Sequence, residues 1–433
     1  MKKNIKIFSI ILILGFNLNL FAQQKFMIGV FHEPFFKKFD DSVTANYRNE
    51  FIRWKNSGIN FSQSQILYWY NPNEYLYLFN KVLKPINYDL DVFITSQHFS
   101  NKSVAYNQSI LSSYINGLQN YASIINLGDE PKSLDEIKNV LNTNNFVQKN
   151  YPNCKTFVNL LPKISFSKIS DYQSYLENFK NIDLVAFDYY LPSYGDNNDF
   201  FISLMNMQKV FGKKSFLSYV AINNGGGLKP PKTSEFRKAI FSSLAYGAKG
   251  IIYFDKILSN SPPELNSEMP KINKYITKVV GPVILGSSSC ITLHQYYTKN
   301  DKDDLNSTIA GYNKSNSDFI IQSIGNNQIL VSQFTIKDDL NLSKQGLMLG
   351  DKYLLIVNKS LTKQKGVQIT LNGNYDGSVY SAPRYMNFNE NLPVNFEKSS
   401  ITNTSGLSTF TISEIEGGEG ILIKIASSAV PPR

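Results

Sequence analysis

The sequence has little of what several common kinds of functional site require. Its 433 residues include two cysteines, Cys154 and Cys290, and three histidines, His32, His98 and His294. Two cysteines allow at most one disulfide bridge, which excludes a disulfide framework. The histidines form no cluster with the spacing of metal ligands, which argues against a metal site. We therefore expect neither a metal nor another cofactor.

Runs of one charge and long apolar runs are also missing. The formal net charge is +10, but the basic residues are spread thinly and form no run that could follow a phosphate backbone, so we expect no nucleic-acid partner. Beyond the start of the chain no stretch approaches a membrane span. A glycine-rich phosphate-binding turn after an early strand is lacking too, because Gly225-Gly226-Gly227 does not have the fingerprint spacing, which disfavours a doubly wound open sheet.

Residues 1–22 are typical of a secretory signal peptide. Three lysines precede an apolar centre, and Leu20-Phe21-Ala22 is a plausible cleavage site. Removal of this segment would lower the net charge to +7, since it carries three lysines and no acid. The next residue is Gln23 rather than the cysteine of a lipid anchor. We expect a secreted or periplasmic protein, and the sequence does not indicate its oligomeric state.

Eight apolar runs recur roughly every 25 to 35 residues with helical patterns between them. The runs start at Phe26, Ile59, Leu90, Ile124, Thr156, Ile182, Ser215 and Gly250. Regular alternation of this kind predicts an α/β fold, a (β/α)8 TIM barrel over residues 23–285.

The pattern changes after about Pro282, where short alternating runs are separated by turns rich in Asn, Gly, Ser and Asp. These runs predict a small all-β sandwich over residues 286–428 and a loose tail over residues 429–433. The polar piece from Ser287 to Asp318 remains unassigned. No distinct group of aromatic residues marks the sandwich as a glycan-binding module, so we expect it to brace the barrel.

In a TIM barrel the catalytic groups come from the carboxyl ends of the strands. The fourth run ends in Gly128-Asp129-Glu130-Pro131, where two adjacent carboxylates meet a proline that cannot continue the strand. A neighbouring negative charge and burial both favour the protonated form of a carboxyl group. We therefore predict that Glu130 is a general acid, with Asp129 turned toward a neighbouring loop or a backbone partner.

Asp188 ends the sixth run and is the second predicted catalytic carboxylate, the alternative being a cap of a helix or loop. The other strand ends carry carboxylates, amides and aromatic rings, but no Ser-His-Asp set. We predict that substrate is bound by Glu33, Tyr68, Trp69, His98, Asp129, Asn159, Tyr190, Tyr219, Tyr253 and Asp255. Groups of this kind fit sugar hydrolysis, in which carboxylates move protons, aromatic faces stack on sugar rings and amides bind hydroxyls.

Four stretches resemble the secreted (β/α)8 glycoside-hydrolase-like proteins of Bacteroidota, which are similar to the clan A and β-galactosidase-type barrels. The stretches are Gly128-Asp129-Glu130-Pro131, Val158-Asn159-Leu160-Leu161-Pro162, Phe187-Asp188-Tyr189-Tyr190-Leu191-Pro192 and Ala245-Tyr246-Gly247-Ala248-Lys249-Gly250-Ile251-Ile252-Tyr253-Phe254. A late Gly417-Gly418-Glu419-Gly420-Ile421-Leu422 resembles the closing strand of their accessory sandwich. The resemblance covers most of the chain after residue 22.

In clan A the acid/base is a Glu that ends strand four, usually in Asn-Glu-Pro, and the nucleophile is a Glu that ends strand seven. The resemblance thus implies that Glu130 is the acid/base, with Asp129 in the place of the Asn. Strand seven departs from the pattern, because residues 218–223 contain no carboxylate. Asp188 or Asp255 could serve as nucleophile or base, the substrate could supply its own nucleophile, or the barrel could bind sugar without cleaving it.

These observations together predict an exported O-glycosidase that acts on a polysaccharide or oligosaccharide. The alternative is a non-catalytic carbohydrate-binding protein on the same scaffold. A structural or adhesive surface protein fits least, because such a protein has little reason to place so many carboxylates at strand ends.

Overall fold

The structure is a computed structural model, and it describes residues 25–31, 41–63, 72–95, 104–118, 121–195, 197–212, 214–223, 227–254, 261–294, 319–336, 347–375 and 377–426. Eight parallel strands pair in chain order and close into a barrel, with the last strand hydrogen-bonded to the first. The strands are β1 Met27–Phe31, β2 Phe61–Gln63, β3 Asp91–Thr95, β4 Ile124–Asp129, β5 Lys155–Leu160, β6 Leu184–Asp188, β7 Ser215–Ala221 and β8 Gly250–Phe254. The predicted TIM barrel is confirmed.

Helices cover the outside of the barrel, which is why its strands are apolar on both faces. The helices are α1 Asp41–Asn56, α2 Pro72–Tyr77, α3 Val104–Leu118, α4 Leu134–Asn150, α5 Ile169–Glu177, α6 Leu191–Tyr194, α7 Asn197–Phe211, α8 Thr233–Ala245, α9 Pro263–Tyr275 and α10 Gly281–Gly286. The start of α4 is well determined by its sequence, because Ser133 and Glu136 form a capping box there. None of the helices in the described ranges is long and apolar enough to cross a membrane.

The barrel interior is packed with side chains and is not a channel. Alternate strand residues face inward and form one cluster, while their neighbours pack against the helices. Aromatic residues dominate the interior, with the rings of Phe61 and Phe93 stacked at a centroid distance of 4.8 Å. This filling leaves the carboxyl ends of the strands as the place for a site.

Two antiparallel sheets follow the barrel, which confirms the predicted all-β domain. Their strands are β9 Ser287–His294, β10 Ile321–Ile324, β11 Ile329–Ile336, β12 Lys352–Asn358, β13 Gln364–Asn372, β14 Val379–Ser381, β15 Glu397–Lys398, β16 Ile401–Thr404, β17 Leu407–Ile415 and β18 Gly420–Ile425. One sheet has the order β10-β13-β17-β16 and the other the order β15-β14-β18-β12-β11-β9. Strand β9 lies in the polar piece from Ser287 to Asp318, for which the sequence predicts no element.

The β-domain packs directly on helix α8 of the barrel. The turn before β18 lies so close to α8 that a Cβ atom on Gly418 would come within 2.1 Å of the Ser234 carbonyl oxygen. Arg237 of α8 donates to the Gly417 carbonyl at 2.9 Å and forms an ion pair with Glu268 of α9. Barrel and β-domain residues therefore share one apolar core. The two cysteines are free, and neither forms a disulfide.

Candidate active site

A β-bulge near the end of β4 turns the Asp129 side chain toward the barrel mouth. Asn126 is paired with Phe157 of β5, and the next pair is Asp129 with Asn159, so β4 carries one residue more than its neighbour. In a regular strand Gly128 would pair with Asn159 and Asp129 would point toward the helices. The extra residue turns Asp129 to the inward side, which is the use that bulges commonly have beside active sites.

Asp129 is held at the mouth by the neighbouring strand. The Asn159 side-chain amide donates to the Asp129 Oδ1 atom at 2.8 Å. Asp129 is exposed to solvent, yet protein surrounds it closely enough that the loss of hydration raises its pKa to about 6, against the lowering effect of the Asn159 hydrogen bond. An accessible carboxyl group with this pKa is mostly ionised at neutral pH.

Glu130 has an unusual backbone conformation for a residue other than glycine. Its φ angle is +46°, and its backbone N–H donates to the Asn159 carbonyl at 2.9 Å. A left-handed conformation costs free energy in an L residue, and such strain is found most often at functional sites. The Glu130 side chain is 29% exposed, and the ammonium of Lys132, itself largely in solvent, is 3.8 Å from its Oε2 atom. Glu130 is thus placed where a ligand can reach it.

Asp188 is buried and forms a hydrogen bond with Glu130. It shares the inward orientation of Leu184 and Ala186 on β6 and is 8% exposed. Burial, followed by the negative charges of Glu130 and Asp129, raises the pKa of Asp188 well above its ordinary value. This raised pKa favours the protonated form of Asp188 beside Glu130 at the mouth of the barrel. Among the hydrogen bonds of the described residues, Asp188 Oδ1 has no partner.

Aromatic side chains form the opposite wall of the mouth. Phe31 of β1 stacks on Phe254 of β8 at 5.4 Å between ring centroids, and Tyr190 contacts Phe254 at 5.0 Å. Tyr219 of β7 packs against Phe31 edge-on and donates its hydroxyl proton to Gln63 of β2. An acidic wall on β4 and β6 thus faces an aromatic wall on β7, β8 and β1.

The structure brings five of the predicted residues together: Glu130, Asp188, Asp129, Asn159 and Tyr190. Tyr219 joins them through the aromatic wall. Tyr253 does not, because its side chain points out of the barrel, where it is fully buried and donates to Asn273 of α9. The prediction that Tyr253 binds substrate rests on its place near the end of a strand, but its side chain faces the outer layer and not the mouth. Glu33, Tyr68, Trp69, His98 and Asp255 lie outside the described residues, as do the predicted signal peptide and the tail.

Phe31, Phe254 and Gln63 belong to the mouth but were missed in the sequence. All three end strands, and alternation from the apolar inward residues below them would have assigned Phe31 and Phe254 to the inside. Gln63 ends β2, whereas the sequence predicts that the second strand runs from Ile59 to Ile66, so Gln63 is not marked as a strand end there. In the described part of the chain no group of three or more His, Cys, Asp or Glu residues could hold a metal ion.

No protein-family model and no curated protein sequence matches this chain. Solved structures do match its fold. The β-galactosidase of Bacillus circulans sp. alkalophilus is 9% identical, has a TM-score of 0.53 and matches over 93% of this chain and 99% of its own. The cycloisomaltooligosaccharide glucanotransferase of Paenibacillus sp., complexed with cycloisomaltoheptaose, is 8% identical, has a TM-score of 0.54 and matches over 92% of this chain and 84% of its own.

The β-galactosidase of Rahnella sp. R3 is 10% identical, with a TM-score of 0.48, and matches over 61% of this chain and 58% of its own, so this chain spans less than two thirds of that protein. Identities this low show a common fold and nothing finer. The protein has the closed (β/α)8 barrel found in glycoside hydrolases and glucanotransferases, followed by an all-β domain.

Proposed function

We propose that this protein is an exported glycoside hydrolase that cleaves O-glycosidic bonds in a polysaccharide or oligosaccharide. The observation that carries this proposal is the pair formed by Glu130 and Asp188 at the carboxyl end of the barrel. Hydrolysis of a glycoside needs a proton for the departing oxygen, and a carboxyl pair in which burial and neighbouring negative charge favour the protonated form can supply it.

The two members of the pair have different access to a substrate. Glu130 is partly exposed, whereas Asp188 is buried behind it. Glu130 is therefore the group that protonates the glycosidic oxygen. Asp188 acts as a positioning residue, because its hydrogen bond orients the Glu130 carboxyl and keeps a proton within the pair. Phe31 and Phe254 of the aromatic wall, together with Tyr190, which contacts Phe254, offer apolar surface to the sugar ring.

Removal of the acid tests this proposal. We expect the protein without residues 1–22 to release reducing ends from at least one member of a broad glycan panel. Glu130→Gln should lower that rate by a factor of about 100 or more, because general acid catalysis contributes about that much. Glu177→Gln on the exposed end of α5 makes the same chemical change far from the mouth and should leave the rate unchanged.

Unchanged turnover in Glu130→Gln would exclude Glu130 as the acid. If no glycan is hydrolysed but one binds in calorimetry, the protein is a carbohydrate-binding protein on the same barrel. The observation that favours this second candidate is that β7 presents Tyr219 and Ala221, and no carboxylate, to the mouth.

A further inference from the structure

The hydrogen bond between Glu130 and Asp188 restricts the mechanism. When two enzyme carboxyl groups perform the reaction, they stand about 5 to 5.5 Å apart for retention and about 6.5 to 9.5 Å apart for inversion. Groups in direct hydrogen-bond contact are closer than either spacing, with no room between them for a sugar or a water molecule. Asp188 is buried and paired with Glu130, so in this arrangement it is not placed as a nucleophile or base opposite Glu130.

Within the described residues, the aromatic wall across the mouth provides no other nucleophile or base. Its inward side chains at the strand ends are Ala221 of β7, Phe254 of β8 and Phe31 of β1. They form an apolar surface with stacked rings. Such a surface accommodates a methyl group or the face of a sugar ring, but it cannot attack an anomeric carbon.

Asp129 is the one other accessible carboxylate that the described strand ends bring to the mouth, and it adjoins the acid in the chain. The Asn159 side-chain amide donates to the Asp129 Oδ1 atom at 2.8 Å. This hydrogen bond fixes the Asp129 side chain and leaves Oδ2 to accept a hydrogen bond from a ligand. A hydrogen bond to a carboxylate is strongest when the donor carries positive charge. Asp129 is therefore suited to a substrate group that has an N–H and gains positive charge during the reaction.

We propose that the substrate carries a 2-acetamido-2-deoxy sugar at the cleaved bond, and that Asp129 binds the acetamido N–H. This inference rests on the proposed hydrolase function. The acetamido oxygen forms a bond to the anomeric carbon as the bond from that carbon to the departing oxygen breaks. The electrons of the broken bond go to the departing oxygen, which takes the proton of Glu130.

The positive charge of the resulting oxazolinium ring resides largely on the acetamido nitrogen, beside the Asp129 carboxylate. Water then adds to the anomeric carbon and gives its proton to Glu130, while the ring opens and restores the acetamide. The net reaction consumes one water and retains the anomeric configuration. In this complex the aromatic wall contacts the acetamido methyl group.

Matched substrates separate this inference from the proposed function. The probes are aryl glycosides of one to three sugar units, each prepared with a 2-acetamido group, a 2-trifluoroacetamido group or a 2-hydroxyl group. We expect kcat/KM to be about 100-fold or more higher for the acetamido than for the hydroxyl compound, as for loss of a group that acts in the transition state. Fluorination should lower kcat because it weakens the attacking oxygen.

Asp129→Asn should lower kcat on the acetamido substrate by about 100-fold or more, because the charge that faces the oxazolinium ring is lost. Asp135→Asn, an exposed position on α4, is the matched control. Equal rates on acetamido and hydroxyl compounds, or inversion of configuration, would overturn the inference and leave the hydrolase function intact. No hydrolysis of any glycoside or glycan would overturn both.

Discussion

At the scale of single residues, the amide of Asn159 controls the charge of its neighbour. Its hydrogen bond lowers the pKa of Asp129, which burial holds at about 6. In Asn159→Ala this bond is lost, so the pKa of Asp129 should rise. If the ionised form of Asp129 is needed, the acid limb of the kcat/KM profile should have its midpoint near pH 6 in the natural protein and at a higher pH in the variant.

The measurement is the rate at intervals of half a pH unit from pH 4 to pH 8, for both proteins. A limb that stays in place after the substitution would show that Asp129 does not need to be ionised for turnover. The Asn159→Ala protein should retain its unfolding midpoint within a few degrees if the loss is confined to this hydrogen bond.

Asp188 should make stability depend on pH. Its pKa in the folded protein lies well above the ordinary value of 3.8, so the folded state binds more protons than the unfolded state once the pH exceeds that value. The free energy of unfolding then decreases as the pH rises through this window. Asp188→Asn cannot ionise and should be relatively more stable at pH 7.5 than at pH 4.5.

Urea unfolding of both proteins at the two pH values measures this effect. The quantity of interest is the difference between variant and natural protein at each pH, because titrating groups that do not interact with Asp188 cancel in it. A difference that is the same at pH 4.5 and pH 7.5 would show that Asp188 is ionised in the folded protein.

At the scale of elements, the turn before β18 depends on glycine. Gly418 has a φ angle of +75°, and a Cβ atom there would collide with the backbone of α8. Gly406 has a similar φ of +79° but open space around it. Gly406→Ala should cost about 1 to 2 kcal/mol for the left-handed conformation. Gly418→Ala should cost a further ~1 to 3 kcal/mol for the collision.

The two free energies of unfolding, measured in urea, therefore separate backbone strain from contact with the helix. Equal costs in the two variants would mean that the turn moves away from α8 without loss. A larger cost in Gly418→Ala would show that this contact contributes to the stability of the whole chain.

The elements of the barrel could be predicted from the sequence because each strand is an apolar run between helical patterns. Strand β9 could not, since Ser287, Ser288 and Ser289 give it a polar start, and its pairing with β11 is a long-range contact. Only part of the candidate site could be predicted, because the rest also depends on long-range contacts. Glu130 and Asp188 follow apolar runs, but the contact between them depends on barrel closure, and the inward turn of Asp129 depends on a bulge.

At the scale of the whole molecule, barrel and β-domain form one packed body. Helix α10 ends at Gly286 and β9 begins at Ser287, without a linker. The rings of Phe241 and Tyr275 on barrel helices pack against Tyr385 of the β-domain at 5.9 and 6.4 Å. We infer that the all-β domain braces the barrel, as its lack of a distinct aromatic group suggested.

We therefore expect residues 23–285 alone to be insoluble or to unfold at a markedly lower temperature than residues 23–426, because removal of the β-domain exposes the apolar surface of α8 and α9. Thermal unfolding followed by circular dichroism measures this, with the longer chain as the control. Equal midpoints would show that the barrel is an independent domain and that the shared core is dispensable.

The bulge on β4 also affects how this chain aligns with barrels whose fourth strand is regular. In those barrels the inward residue near the strand end lies two positions after the counterpart of Asn126, and here it lies three positions after. A gapless alignment from the start of the strand would therefore match Gly128 to their inward residue and assign Asp129 to the outer layer. One gap at residue 127 or 128 aligns Asp129 with their inward residue. Residues along β4 should therefore be compared with those of other barrels only after this gap has been introduced.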